Sequence, residues 1–347
     1  EEDVFEEVAR MGFYDEITAQ LPNIPMKSRT DILDRKFERM LVDALVDLGG
    51  NEIITYSFIR EKDLEKIKYD LTDKDKFVYI QNPLAEERTL MRPTLIVSHL
   101  LAAELNHLRM NYDFIFFEMG KSYFKSSDNG HSFKERKVLG LVFSGLWRTK
   151  EWYGTEEKFD FFIVKGFLEK VCERICKNKM KVKKLEGTNF GFLHPVEASL
   201  MLLEDKEIGF FGKLHPDVAE KWDFKKDVFV AEIDLDLLKK IFERRENIYY
   251  SISKYPWVDR DITIIVDDRV NYDEIMTVLL KNSGELVKNI KLVDLYKGNK
   301  IGENKKSLTF KLIYQHKERT LSDEEVNEEN SRIAKFLIEH FNAEFPK

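Results

Sequence analysis

The chain has 347 residues, 43% of them hydrophobic and 34% charged, with a formal net charge of −7. That composition excludes a disordered or fibrous chain and predicts packed cores under a heavily charged surface, in two domains or slightly more. No apolar run approaches the roughly 20 residues of a membrane span, and the acidic start EEDVFEEVAR does not fit a secretory signal, so a cytoplasmic protein away from membranes is expected.

Residues 1–17 read as one helix, with Val4, Phe5, Val8, Ala9 and Met11 on one stripe. It opens on charged residues with no cap, so the chain is expected to be part of a longer protein. TAQLPNIPMKS follows as a linker punctuated by two prolines. A helix over 30–48 is closed by Gly49-Gly50, and EIITYSF then predicts a strand. After an NPL turn at 82–84, TLIVSHLLAAELNHLRM predicts a helix. DFIFFEMGKSYF predicts two strands joined at the glycine, VLGLVFSG a buried strand, and FDFFIVKGFLEKVCERICK a helix. Cys172 and Cys176 sit one turn apart in that helix, with no histidine at ligand spacing. They read as reduced core residues and not as a disulfide or a zinc site. ASLMLLED, EIGFFGKLH and DVFVAEIDL predict three more strands. Helices mixed with strands that are not in βαβ order predict an α+β fold on a mainly antiparallel sheet.

Composition shifts near 245–254, which predicts three segments: 1–26, 27–250 and 251–347. The last reads strand 262–266, helix 272–281, strand 287–296, strand 308–314, helix 323–341 and a short closing strand, the split βαβ order of a ferredoxin-like domain. Ser322 and Glu325 have capping-box spacing, worth about 1 kcal/mol for the cap. Between Lys288 and Arg319 stand nine basic residues against three acidic ones. One basic platform on an acidic protein predicts a docking site and argues against bulk polyanion binding.

Two constellations stand out on residue chemistry alone. Asp3, Glu6 and Glu7 share one helix face, where acidic residues favour the macrodipole near an N-terminus. Asp294 and Tyr296 share one strand face by period 2, with Val293 and Leu295 turned toward the helices. Ser307, after the lysine-rich turn, can come alongside them. An exposed sheet tyrosine can also simply suit its strand. His194 and His215 precede prolines and read as turn caps.

The stretches KYP at 254–256, RDITIIVD at 260–267, VDLYKG at 293–298, IGENKKSL at 301–308 and RTLSDEEVN at 319–327 occur in this order. Together they resemble the ferredoxin-fold anticodon-binding domain that closes the bacterial phenylalanyl-tRNA synthetase β subunit. Upstream, EEDVFEEVARMGFYDEI, QNPLAEERTLMRPTLIVSHL, FIFFEMGKSYF and the two LHP turns resemble the end of a preceding domain and the catalytic-like core of that family. The resemblance implies a class II synthetase-like antiparallel-sheet core, non-catalytic, followed by a ferredoxin-like split βαβ domain. The family's N-terminal RNA-binding-like and editing domains would lie before residue 1.

It further implies that the chain works with a catalytic α subunit, in an α2β2 assembly that uses ATP and magnesium to attach phenylalanine to its tRNA. Tyr296 would stack on an anticodon base, Asp294 and Ser307 would bond to base edges, and Lys297, Lys300, Lys305 and Lys306 would meet phosphates. Asp3, Glu6 and Glu7 would be magnesium ligands lacking an upstream aspartate, so magnesium binding by this chain is expected to be weak or absent. ATP would be bound by the α subunit. Class II sites hold ATP with arginines on the central strands. FIFFEMGKSYF and EIGFFGKLHPDVAEKW have none, and Arg92 in LMRPT stands alone near a family-like position. An independent enzyme is therefore disfavoured, while a non-catalytic RNA- or protein-binding paralogue remains the alternative, separable by co-purification with an α subunit.

Overall fold

The computed structural model describes residues 1–12, 14–23, 32–83, 85, 88–126, 133–185, 190–245, 249, 251–298, 301–302 and 304–344. It divides into two compact units, Glu1–Glu246 and Asn247–Lys347. Thr30, the linker residues 24–28 and Lys300 lie outside the described residues.

The first unit opens with α1 (Glu2–Met11), shorter than the 1–17 helix predicted. It stops at Gly12, whose N–H donates to the Val8 carbonyl, and Tyr14–Glu16 forms a separate 3-10 turn. Glycine is a poor helix residue and ends the run. Its apolar stripe forms, but none of α1 is buried. α2 (Ile32–Asp47) ends at Gly49, whose φ of +87° is one that glycine adopts freely.

The predicted strand at 52–58 is broken. β1 (Asn51–Glu52) pairs in parallel with β4 (Phe114–Lys125), and β2 (Phe58–Ile59) pairs instead with β3 (Leu90–Met91). Between them Thr55 leaves the ladder, because its hydroxyl bonds to the buried Glu118 and Arg92. α3 (Glu61–Lys66) and α4 (Ile96–Leu108) lie in the segment that follows.

β4 itself is one continuous strand, not two strands joined at Gly120. A Cβ at Gly120 would come 2.5 Å from Arg92 Nη2, so the glycine admits a guanidinium and does not break the strand. β5 (Phe133–Ser144) pairs antiparallel with β4 along its whole length. A small ribbon of β6 (Leu146–Arg148) and β7 (Glu157–Lys158) leads to α5 (Phe161–Cys176), which Asp160 caps through the Ile163 N–H. Cys172 and Cys176 are free and buried there, and burial pushes both thiols up to about 12. β8 (Lys181–Lys184), β9 (Leu193–Leu203), β10 (Lys206–Leu214), α6 (Pro216–Lys221), β11 (Val228–Asp234) and α7 (Leu235–Arg244) complete the unit.

The main sheet runs β1-β4-β5-β11-β10-β9-β8, antiparallel except at β1. β11 is buried over its first six residues, as a central strand covered on both faces must be. α2, α5 and α7 share one core with one face, while α4 and the segment from Ile59 to Phe77 share a second core with the other.

The second unit contains β12 (Val258–Asp267), α8 (Tyr272–Asn282), β13 (Val287–Tyr296), β14 (Lys305–Tyr314) and α9 (Asp323–Phe341), in sheet order β12-β14-β13. Among the described residues the closing strand is one bridge, Ile265 with Glu344, which gives the split βαβ topology its fourth position beside β12. Ile262, Ile264, Val266, Leu308, Phe310 and Leu312 face the helices at alternate positions. The capping box of α9 is present in both directions, and Arg319 adds a two-pronged bond to Glu325. Those bonds, Arg319 first, hold the Glu325 carboxyl down at about 2.

A carboxylate depressed in the folded state stabilises it fully above its unfolded value, and this contribution is lost as pH falls toward 2. Glu325→Gln should therefore lower stability at neutral pH and flatten the decline of the second unit between about pH 4.5 and 2, measured by thermal unfolding across pH. A second expectation concerns Arg92, which is 2% exposed and paired with Glu118 at 2.8 Å. Arg92→Met leaves Glu118 buried without its cation and should cost about 3–5 kcal/mol, read from urea unfolding of the full chain.

Candidate nucleic-acid interface

The basic hairpin is β13, β14 and the turn between them. Opposed residues of an antiparallel pair present side chains to the same face. Leu292 opposes the buried Phe310, but the next pairing is Asp294 with Thr309, which leaves Val293 as an extra residue in a β-bulge. Strict alternation from Leu292 would have turned Asp294 and Tyr296 into the helices. The bulge reverses this. Asp294 now shares a face with Thr309, and Tyr296 with Ser307, opposite the buried Leu308 and Phe310. The structure thus brings Asp294, Tyr296 and Ser307 together on the open face of the sheet.

Val293 and Leu295 do not pack against the helices as the alternation predicted. Val293 is the bulged residue and is 49% exposed; Leu295 lies on the helix side but is still 52% exposed. Ile290 and Leu292 make that contact instead. Tyr296 is 41% exposed, and a Cβ at Gly298 would fall 2.4 Å from its hydroxyl. Glycine at 298 lets the ring lie where it does, and a larger residue there would push it aside, a pairing that the YKG sequence contains but that periodicity does not reveal. Sequence reasoning also missed the Thr263–Thr309 hydroxyl pair, 2.9 Å apart across β12 and β14, two register positions from Ser307.

The lysines are more constrained than their charge count suggested. Lys297 pairs with Asp268 at 2.5 Å, Lys306 donates to the Asp268 carbonyl at 2.9 Å, and Lys305 pairs with Glu344 at 2.7 Å. Lys297 holds the Asp268 carboxyl below its ordinary value. The Lys297 and Lys305 pairs are exposed and of small net worth, so those two lysines stay available to a phosphate, whereas the Lys306 side chain is 13% exposed and is committed to the Asp268 carbonyl.

In the first unit, Arg92 is wholly engaged. Its guanidinium bonds to Glu118, to the Thr55 hydroxyl at 2.7 Å and to the Lys121 carbonyl at 3.0 Å. His194 Nδ1 accepts from the Val196 and Glu197 N–H groups, and His215 Nδ1 caps α6 through the Asp217 N–H. Both histidines hold turns.

Asp3, Glu6 and Glu7 lie on the exposed α1, with Glu7 paired to Arg10. Among the described residues no three carboxylate, histidine or cysteine side chains are placed to hold a metal ion. The residues present do not fit a magnesium site on their own. No helix among the described residues is long and apolar enough to cross a membrane.

Residues 17–235 match the family model described as the phenylalanyl tRNA synthetase beta chain CLM domain, and residues 253–346 match the ferredoxin-fold anticodon binding domain. The phenylalanine–tRNA ligase β subunit of Carboxydothermus hydrogenoformans is 35% identical over 338 residues, covering 97% of this chain and 42% of that protein. The corresponding subunit of Listeria monocytogenes is 32% identical over 346 residues, covering 99% of this chain and again 42% of its own length. The chain therefore spans less than half the length of these relatives.

Calorimetric titration of the chain with magnesium should give no saturable isotherm in the submillimolar range, because three exposed carboxylates on one helix do not complete an octahedral set. A submillimolar isotherm abolished by Glu6→Gln would show that α1 does assemble a site.

Proposed function

This chain belongs to the phenylalanyl-tRNA synthetase β-chain family, and we propose that it is the part of the β subunit that supports a catalytic α subunit and reads the anticodon of phenylalanine tRNA. Residues 27–250 would be the catalytic-like core, 251–347 the anticodon-binding domain, and 1–26 the end of a preceding domain with its linker. The whole ligase, two α and two β subunits in the cytoplasm, would charge phenylalanine tRNA using ATP and magnesium. Adenylate chemistry would belong to the α subunit, consistent with the engagement of Arg92 inside this fold.

One observation carries the RNA reading: the bulge at Val293 sets an exposed aromatic ring beside a carboxylate and a hydroxyl on an open sheet face. An unstacked base could lie on the Tyr296 ring, a contact of about 1–3 kcal/mol. Asp294 would accept from base amino or imino groups, while the Ser307 hydroxyl can donate or accept. Such edge contacts discriminate between bases, whereas Lys297, Lys305 and Lys306, with Lys300, would meet phosphates and set position only. Asp3, Glu6 and Glu7 would contribute to magnesium binding only with ligands from outside this set.

Tyr296→Ala should weaken binding of phenylalanine tRNA by about tenfold or more and leave the melting temperature unchanged, measured by filter binding on the chain reconstituted with an α subunit. Unchanged affinity would remove the stacking role. Asp294→Ala should instead relax the preference among anticodon variants.

A further inference from the structure

The open face of the second unit carries side chains that the base-reading trio does not use. On β14 the open side holds Ser307, Thr309 and Lys311, since Leu308, Phe310 and Leu312 are buried against the helices. Pairing then fills each row across the sheet. Ile265, Ser307 and Tyr296 form one row, Thr263, Thr309 and Asp294 the next, and Asp261, Lys311 and Lys291 the third. Rows two residues apart along a strand are separated by about 7 Å, so neighbouring rows can meet neighbouring nucleotides of a single strand.

Charge is divided unevenly across this face. On the β12 side Asp259 and Asp261 stand 2.8 and 3.8 Å from Lys311 and occupy its ammonium. On the β13 side Lys291 is exposed, and among the described residues its ammonium has no ion pair or hydrogen bond. β13 is the outer strand of the three, and Lys291 and Lys297 stand on either side of Asp294 and Tyr296 along it. A phosphate is repelled by the acidic β12 side and attracted to this edge. At Lys291 it displaces no protein partner.

The middle row offers hydroxyls. Thr263 and Thr309 are only partly buried and lie 2.9 Å apart. One hydroxyl hydrogen is used between them, which leaves the other hydrogen and spare lone pairs for a base edge or a ribose hydroxyl.

We infer, resting on the RNA reading of this face, that the RNA backbone follows the β13 edge with one phosphate on Lys291 and its bases turned inward over β14. The nucleotide next to the one on Tyr296 then lies over the Thr263–Thr309 pair. Lys291 sets position without reading sequence, and the threonines form a second recognition point.

Filter binding of phenylalanine tRNA to the chain reconstituted with an α subunit tests this path. Lys291→Ala should weaken binding about three- to fivefold, the scale of one exposed ion pair, and equally for all anticodon variants. It should also lower the magnitude of the slope of log K against log salt by about 0.7, and Lys291→Arg should restore both. Thr309→Val should weaken binding about threefold, the scale of one hydrogen bond, and relax the preference at an anticodon position that Asp294→Ala leaves untouched. An unchanged preference in folded Thr309→Val would remove the second nucleotide from the threonine pair. Lysines on edge strands also keep sheets from pairing edge to edge. A Lys291→Ala chain that self-associates in gel filtration, yet binds tRNA with unchanged affinity and slope, would therefore overturn the phosphate contact, as would a loss confined to one anticodon variant. If Tyr296→Ala weakens binding and Lys291→Ala does not, the backbone path falls alone; if neither does, the RNA reading falls with it.

Discussion

The buried pair of Arg92 and Glu118 is the interaction around which the larger unit is arranged. Taking two charges out of water is expensive and is tolerated only when geometry is good and every remaining donor and acceptor is satisfied. Here Thr55, Lys121 and Glu118 take the guanidinium from three directions. Those bonds pull the chain away from strand geometry after Glu52, set the start of the segment leading to α4, and require glycine at position 120. Gly140 has a related task, since a Cβ there would lie 2.7 Å from His99 Cε1 and 2.8 Å from Leu95 Cβ. Glu232 fastens the same segment a second time through Thr94 and Leu95. Charges that could have served ligand chemistry on this face are largely spent on holding its cover in place.

The second unit solves a different problem with a single extra residue. A ferredoxin-like sheet buries one face under two helices and leaves the other open, so function depends on which side chains reach the open side. The bulge at Val293 makes that choice for Asp294 and Tyr296, and Gly298 leaves room for the tyrosine ring. Re-aiming side chains beside a functional surface is a common use of a bulge. The lysines at the same end are steadied by Asp268 and Glu344. Their arrangement combines orientation with exposure, which a charge count alone does not distinguish.

Much of this was readable in advance. The ranges of β13 and α9 coincide with the periodic segments predicted, and the Ser322–Glu325 box forms as its spacing requires. Local chemistry governs those elements: a cap sits three residues from its acceptor, and apolar period shows which face is buried. Two of the errors share one cause, a partner from a distant segment. EIITYSF has strand propensity, but Thr55 is claimed by an arginine 37 residues away. Gly120 looked like a break because the group it accommodates comes from another segment. Residues 1–17 carry a continuous pattern that the chain interrupts at Gly12.

The sequence by itself determined the family, the α+β class and the order of elements in the last domain. These follow from ordered motifs and from periodicities of 2 and 3.6, which are properties of neighbours along the chain. Tertiary structure alone decided that Asp294 and Tyr296 face outward and that Arg92 is consumed inside the fold. Each depends on which distant residue arrives opposite: Thr309 across a bulge, Glu118 across a buried pair. Pairing register and burial are set by the packing of whole layers, and a local pattern has no access to them.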